Sequence, residues 1–449
     1  MESREPATQR CPLSFQESAL ASGLCAEPQL AEARLLVQGF HGGTPLLEGL
    51  DPALADACVR LGFINEWQAR QLLDGQTRFT LGPYRITGPL GQGGMGQVFK
   101  AVSLETNAVV AVKVLPLEKT NPQTVENFSR EIEAQAKLNH PNLVRVVDSG
   151  YDGSVYYMVT EYVPGANLRK LVRRYGPLSM ESAAGILRQT AAGLAHAHRE
   201  GIIHRDVKPG NVLVAPEGIA KLSDLGLASP MKTASEDDPR FGRVVGTADY
   251  LSPDHIRNPR DPRPAWDIYS LGCTLYYAVT AKVPFPGGST ADKVRAHCEL
   301  YPLDPRRLNP ELSAEFVDLI AQMMAKDPAN RIKTAEEVEE RMARWSSEPA
   351  PIKVVEGRRR ASETSGPKTV AHGKPGAMAD TVSNFPAMEY WSDFDGLGAN
   401  LPPFGEPEPV AASESGWEPR KIVTVLAVAT GISFLLTLLV GLLLAVLAA

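Results

Sequence analysis

Asp206, Lys208 and Asn211 follow one another at spacings of two and three, and Asp224 comes thirteen residues after Asn211. A carboxylate can accept or orient a hydroxyl proton, and an ammonium can neutralise charge on a moving anion. An amide oxygen with a second carboxylate makes the hard oxygen set that Mg²⁺ prefers. Upstream, Lys113 sits inside the apolar run 109–114, where an unpaired ammonium is costly to bury. It needs an anionic partner. Glu131, in a helical pattern over 128–138, is one candidate, and bound phosphates are another.

A glycine cluster shows what must position these groups. Leu90 leads into Gly91-Gln92-Gly93-Gly94-Met95-Gly96-Gln97-Val98. GxGxxG alone is a weak signal, because dinucleotide-binding turns use the same glycines ahead of a helix. Here residues 98–102 alternate and β-branched residues fill 109–114, so the period is that of strands. The glycines therefore cap a hairpin whose backbone can close over phosphates. The segment holding Asp206, Lys208 and Asn211 is a loop between a helix and a strand.

Taken in order, the glycine hairpin, the strand Val110-Ala111-Val112-Lys113, the loop His204-Arg205-Asp206-Val207-Lys208-Pro209-Gly210-Asn211 and the triplet Asp224-Leu225-Gly226 resemble the eukaryotic-like serine/threonine protein kinase family. The likeness is to its bacterial, planctomycete-type members and covers residues 81–346. It implies an α+β bilobal fold, with an N-lobe of β-sheet plus one helix over 81–163 and a mainly helical C-lobe over 164–346. It also implies transfer of the ATP γ-phosphoryl group to Ser and Thr hydroxyls of protein substrates, with Mg²⁺ or, in its place, Mn²⁺.

The resemblance assigns catalytic roles to Asp206, Lys208, Lys113 and Glu131, and metal ligation to Asn211 and Asp224. Nucleotide binding falls to Leu90, Gly91, Gln92, Gly93, Gly94, Met95, Gly96, Val98, Ala111, Lys113 and Leu213. Thr160 becomes the gatekeeper, with Glu161 and Val163 as backbone partners of adenine. Thr247 is expected to contact Asp206 and Lys208, and Asp267 to brace the backbone near His204. Arg205 would receive a phosphate on Thr233 or Ser235, or be partly satisfied by Asp237 and Asp238. Leu225 and Asp254 depart from the family's usual Phe and Glu. Leu keeps the apolar packing role, and Asp254 can still reach Arg331. The rival class, a nucleotide-binding pseudokinase scaffold, is disfavoured because every catalytic position is filled.

The rest of the 449 residues reads as attachment and control. Residues 1–26 are expected to be disordered, and the charged start excludes a secretory signal. Residues 27–80 form a small helical module, with helices at 29–37, at 53–61 behind an Asp51-Pro52 cap, and at 66–73 behind Asn65. Leu35, Leu36, Leu54, Val59, Leu61, Phe63, Trp67, Leu72 and Leu73 are its expected core, and a regulatory partner its expected role. The proline-rich stretch 347–421 reads as a disordered linker. Residues 422–449 carry no charge and exceed the roughly 20 apolar residues that cross a bilayer. They predict a transmembrane helix over 422–447, although a long buried helix has the same composition. Arg420 and Lys421 before it predict a C-terminal tail anchor with the catalytic region in the cytoplasm.

At 43% hydrophobic and 22% charged, the composition excludes collagen, a wholly disordered chain and a polytopic membrane protein. A net charge of −6 gives no basic surplus for nucleic acid. Five scattered cysteines without a CxxC pair fit buried thiols in a reducing compartment.

Overall fold

The computed structural model describes residues 14–40, 50–92, 96–115, 122–153, 155–224, 229–230 and 247–346. The glycine tip 93–95, the segment 231–246, the expected linker 347–421 and the expected membrane helix 422–447 lie outside these residues. Among the described residues no helix is long and apolar enough to cross a membrane.

The helical module begins earlier than its sequence suggests. Ser14 and Glu17 form a capping box that starts α1 (Phe15–Ala21) inside the stretch expected to be disordered. Phe15 and Ala19 are buried with residues of α2 (Glu27–Phe40), α3 (Leu50–Arg60) and α4 (Glu66–Leu73). Asp51 does not cap α3. It lies inside the first turn, and its carboxylate accepts the Phe15 N–H at 2.9 Å. Asn65 does cap α4, in a reciprocal pair with Gln68. Of the expected core, Leu35 and Leu73 point to solvent, 69% and 40% exposed, while Leu54 and Leu72 are buried and Leu36, Val59, Leu61, Phe63 and Trp67 pack on them half-buried. The i, i+3, i+4 stripe of α2 instead buries Leu30, Ala33 and Val37.

The chain then enters an antiparallel sheet of β1 (Thr80–Leu81), β2 (Tyr84–Gln92), β3 (Gln97–Ser103), β4 (Val109–Leu115), β5 (Val146–Asp152) and β6 (Val155–Glu161), ordered β1-β2-β3-β4-β6-β5. Residues directly opposite in an antiparallel ladder share a face. The pairs Val98↔Lys113, Lys100↔Ala111, Ala111↔Thr160 and Lys113↔Met158 therefore put Val98, Ala111, Lys113 and Thr160 on one face. Phe99, Ala101, Val110 and Val112 take the other. Helix α5 (Pro122–Ala136) packs Phe128 against Leu115 and Met158, which brings Glu131 over β4.

After β7 (Ala166–Asn167) and α6 (Leu168–Tyr175), the long helix α7 (Met180–Arg199) leads to the short strands β8 (Ile202–Ile203), β9 (Val212–Val214), β10 (Ala220–Leu222) and β11 (Ser229–Pro230). Beyond α8 (Pro253–Arg257), helix α9 (Pro264–Thr280) is buried on every side from Trp266 to Thr280, as expected of a helix apolar all round. Gly272 lets it approach its neighbour, because a Cβ there would meet the Met323 Cβ at 2.8 Å. Helices α10 (Thr290–Glu299), α11 (Ala314–Met323) and α12 (Ala335–Met342) follow. Phe316, Ile320, Val338 and Met342 share the α7 and α9 core.

Two histidines in this lobe make its stability pH-dependent. Burial and the Arg205 charge push His255, stacked 3.9 Å from Trp266, down to about 4. Burial and Lys326 do the same to His297, which also falls to about 4. Both folded values lie below the ordinary 6.5, so the unfolded chain binds more protons between them and stability falls as pH drops through that window. Each site costs about 1.4 kcal/mol of stability per pH unit within that window, and about 3 kcal/mol across the whole of it. Melting temperature should decline from pH 6.5 to 4, and His255→Phe, which keeps the stack on Trp266, should flatten that decline. An unchanged slope would show that His255 does not carry it.

Candidate active site

Asp206 is the centre of the constellation. The Lys208 Nζ donates to its Oδ2 at 2.6 Å, and Thr247 donates its N–H and hydroxyl to Oδ1 at 3.2 and 3.3 Å. Lys208 also reaches the Thr247 Oγ1 at 3.0 Å. Asn211 turns its NH₂ to the Asp206 carbonyl at 2.9 Å and Oδ2 at 3.3 Å. The loop between β8 and β9 thus brings together the three polar residues picked out by spacing, and Thr247 closes them from the far side of the chain.

A buried carboxylate fixes the shape of this loop. Asp267, fully buried in the first turn of α9, accepts the His204 N–H at 2.9 Å and the Arg205 N–H at 2.8 Å. Burial alone would raise its pKa, but the His198 hydrogen bond at 2.8 Å and the amides hold it below the usual carboxylate value. These bonds support Arg205 in left-handed backbone at φ +69, a conformation costly for a non-glycine residue. The His204 Nδ1 accepts the Asp206 N–H at 3.2 Å, so its Nε2 carries the proton toward the Ser223 carbonyl at 3.0 Å. The Ser223 N–H and hydroxyl both donate to the Asn211 carbonyl, at 2.8 and 3.1 Å. Asp224, next in the chain, is itself left-handed at φ +60. Ser223 and His198 escaped the sequence reading. Their neighbours Asp224 and His204 were the only signal, since a backbone clip needs no particular side-chain spacing.

Lys113 donates to Glu131 Oε1 at 2.6 Å and Asp224 Oδ1 at 3.3 Å. Burial disfavours its charge, yet the two carboxylates outweigh burial and hold the ammonium above the ordinary lysine value. Glu131 is 4% exposed, and among the described residues its buried Oε2 has no hydrogen-bond partner. Asp254 accepts from Arg331 at 2.8 Å, and the Arg331 guanidinium also donates to the Ala265 and Ala325 carbonyls. The Arg205 guanidinium stands over the Trp266 ring at 5.8 Å.

The expected nucleotide face is traceable strand by strand. Val98, Ala111, Lys113 and Thr160 share one face of the sheet, and Leu90 and Gly91 lie near the end of β2, where Gly91 pairs with Val98. Leu213 lies opposite Lys221 on β10, and Lys221 reaches the Glu161 carboxylate at 2.9 Å. The Glu161 N–H is taken by the Arg145 carbonyl at 3.0 Å, leaving its own carbonyl as the relevant atom. Val163 follows β6 half-buried, and Gly96 is buried at the start of β3. Gly93, Gly94 and Met95 lie outside the described residues, as does the side chain of Gln92.

The donor set fits Mg²⁺ with a polyphosphate. With the Asn211 NH₂ spent on Asp206 and the Asp224 Oδ1 on Lys113, Asn211 Oδ1 and Asp224 Oδ2 carry no hydrogen bond among the described residues. These are two hard oxygens that leave further positions for phosphate and water. Among the described residues no cluster of three His, Cys, Asp or Glu could hold a metal by itself.

A family model described as the protein kinase domain matches residues 84–342. A probable serine/threonine-protein kinase of Clostridium perfringens is 39% identical over 257 residues, 57% of this chain and 37% of that protein. Serine/threonine-protein kinase PrkC of Bacillus subtilis is 34% identical over 259 residues, 58% of this chain and 40% of that protein. Serine/threonine-protein kinase PknB of Mycobacterium tuberculosis is 35% identical over 301 residues, 64% of this chain and 48% of that protein. The chain spans less than half the length of these three relatives.

Proposed function

The chain belongs to the protein kinase family, and from that premise we propose that it is a serine/threonine protein kinase, transferring the ATP γ-phosphoryl group to hydroxyls of protein substrates. One observation carries the reading: Asp206 is held by Lys208, Asn211 and Thr247 within 3.3 Å. Asp206 accepts or orients the substrate hydroxyl proton, and Lys208 stands where charge builds on the moving group. Lys113 binds the α and β phosphates and is aimed by Glu131. Asn211 and Asp224 would hold Mg²⁺, which supplies charge neutralisation to the phosphates when bound.

The same proposal includes autophosphorylation and a membrane tether through residues 422–449, whose lack of charge supports it. Incubation of the full chain with γ-labelled ATP and a protein mixture, followed by phosphoamino-acid analysis, tests the transfer. Phosphoserine and phosphothreonine are expected, and phosphotyrosine alone or no transfer would overturn the reading. For the tether, the protein should stay in the membrane fraction through a carbonate wash, and removal of 422–449 should release it.

A further inference from the structure

The α4 helix of the N-terminal module meets the strand that carries the glycine hairpin. The Asn65 Nδ2 donates to the Thr87 carbonyl at 2.7 Å, and the buried Gln68 Nε2 donates to the Ile86 carbonyl at 3.3 Å. Trp67 lies between them in sequence. Its ring meets Phe79 edge-on at 5.9 Å and Phe99 of β3 at 6.4 Å. The β2–β3 ladder is irregular between Ile86 and Gly88 and again between Pro89 and Gly91. Irregularities of this kind locally disrupt ladder pairing and bend the strand. The module therefore grips β2 next to a point where ladder pairing is disrupted.

The two faces of the hairpin connect this grip to the candidate active site. Ile86 pairs with Ala101, so Ile86, Ala101 and Phe99 share the face toward Trp67. Val98, adjacent to Phe99, points to the opposite face with Lys113 and Ala111. A tilt of Phe99 under Trp67 is then a displacement of Val98 over the nucleotide. Resting on the kinase reading above, we propose that the N-terminal helical module positions the glycine hairpin, with Asn65, Trp67 and Gln68 as positioning residues that set affinity for ATP. The module has its own buried core of Phe15, Leu30, Leu54 and Leu72, so a ligand that shifts it would change nucleotide affinity without touching the nucleotide.

Asn65→Ser and Trp67→Leu test this in the full chain. Serine keeps the N-cap of α4 but cannot reach the Thr87 carbonyl, and leucine keeps an apolar contact without the ring. In each variant, the KM for ATP and the Kd of a fluorescent ATP analogue should rise together by about three- to tenfold, the scale of one lost hydrogen bond or ring contact. The kcat at saturating ATP and the KM for protein substrate should stay within about twofold, as expected when only ATP binding is lost. Trp67→Phe should recover most of the affinity. If Trp67→Leu does not fold, Asn65→Ser decides alone. Unchanged nucleotide affinity in the variants, or a fall in kcat alone, would overturn the proposal. Wild-type protein that binds the analogue but transfers no phosphate would overturn the kinase reading, leaving the Kd comparison to decide the role of the module. Wild-type protein that binds no analogue would overturn both.

Discussion

Asp206→Asn should remove phosphoryl transfer while leaving nucleotide binding in place. The substitution keeps the shape of the side chain but replaces an acceptor with an amide that cannot take a proton. General-base and orienting roles of this kind contribute about a hundred- to ten-thousandfold, and here several bonds fail together. Lys208 and Thr247 both donate to the carboxylate, so an NH₂ group in its place faces an ammonium or an amide N–H. Lys208 is then released from its position beside the moving phosphoryl group. A loss of at least about a thousandfold in kcat, roughly 4 kcal/mol of transition-state stabilisation, should appear in a labelled-ATP assay. The Kd of a fluorescent ATP analogue should change by less than about twofold, because binding the nucleotide uses other residues. Retained transfer in the variant would remove Asp206 from its role. Absent transfer in the wild type, with binding intact, would favour a scaffold that only holds nucleotide.

The grouping of Asp206, Lys208 and Asn211, which the structure brings together, was legible because several polar residues at fixed spacing are improbable without a shared purpose. Lys113 shows this most clearly: an ammonium among the five apolar residues of 109–114 demanded an anion, and Glu131 stands 2.6 Å away. The hairpin was legible for a different reason, since alternation after Gly96 excluded the helix of a dinucleotide fold. The framework behind the site was less so. Ser223 went unseen because it is joined through carbonyls, its own accepting from the His204 ring and that of Asn211 accepting its N–H, and a carbonyl leaves no trace in residue type. The start of the module was missed because α1 is only seven residues long. Its evidence was a capping box at Ser14 and Glu17 rather than a sustained period. Leu35 and Leu73 were misplaced because a leucine count says nothing about which stripe of a helix faces inward. The grip of α4 on β2 was out of reach for the same reason as the Ser223 clip: Asn65 and Gln68 address carbonyls.

Lys113→Met separates what the buried pair does for folding from what it does for chemistry. Methionine matches the length of the lysine stem and fills the same apolar strand. It leaves the Glu131 carboxylate buried, with Oε1 losing its lysine and Oε2 without a hydrogen-bond partner among the described residues. Breaking one side of a buried ion pair costs about 3–5 kcal/mol, mostly the penalty of the stranded charge. The melting temperature of Lys113→Met should therefore fall by several degrees, and transfer by more than about a hundredfold as phosphate contacts are lost. Removing the stranded charge as well, in Lys113→Met/Glu131→Leu, should return most of the stability, because an apolar pair of similar volume replaces an ion pair at little cost. It should return none of the transfer. If the double variant also regained activity, Lys113 would be a packing residue. If it stayed as unstable as Lys113→Met alone, Asp224, the second carboxylate 3.3 Å from the ammonium, would be the group that the lysine neutralises.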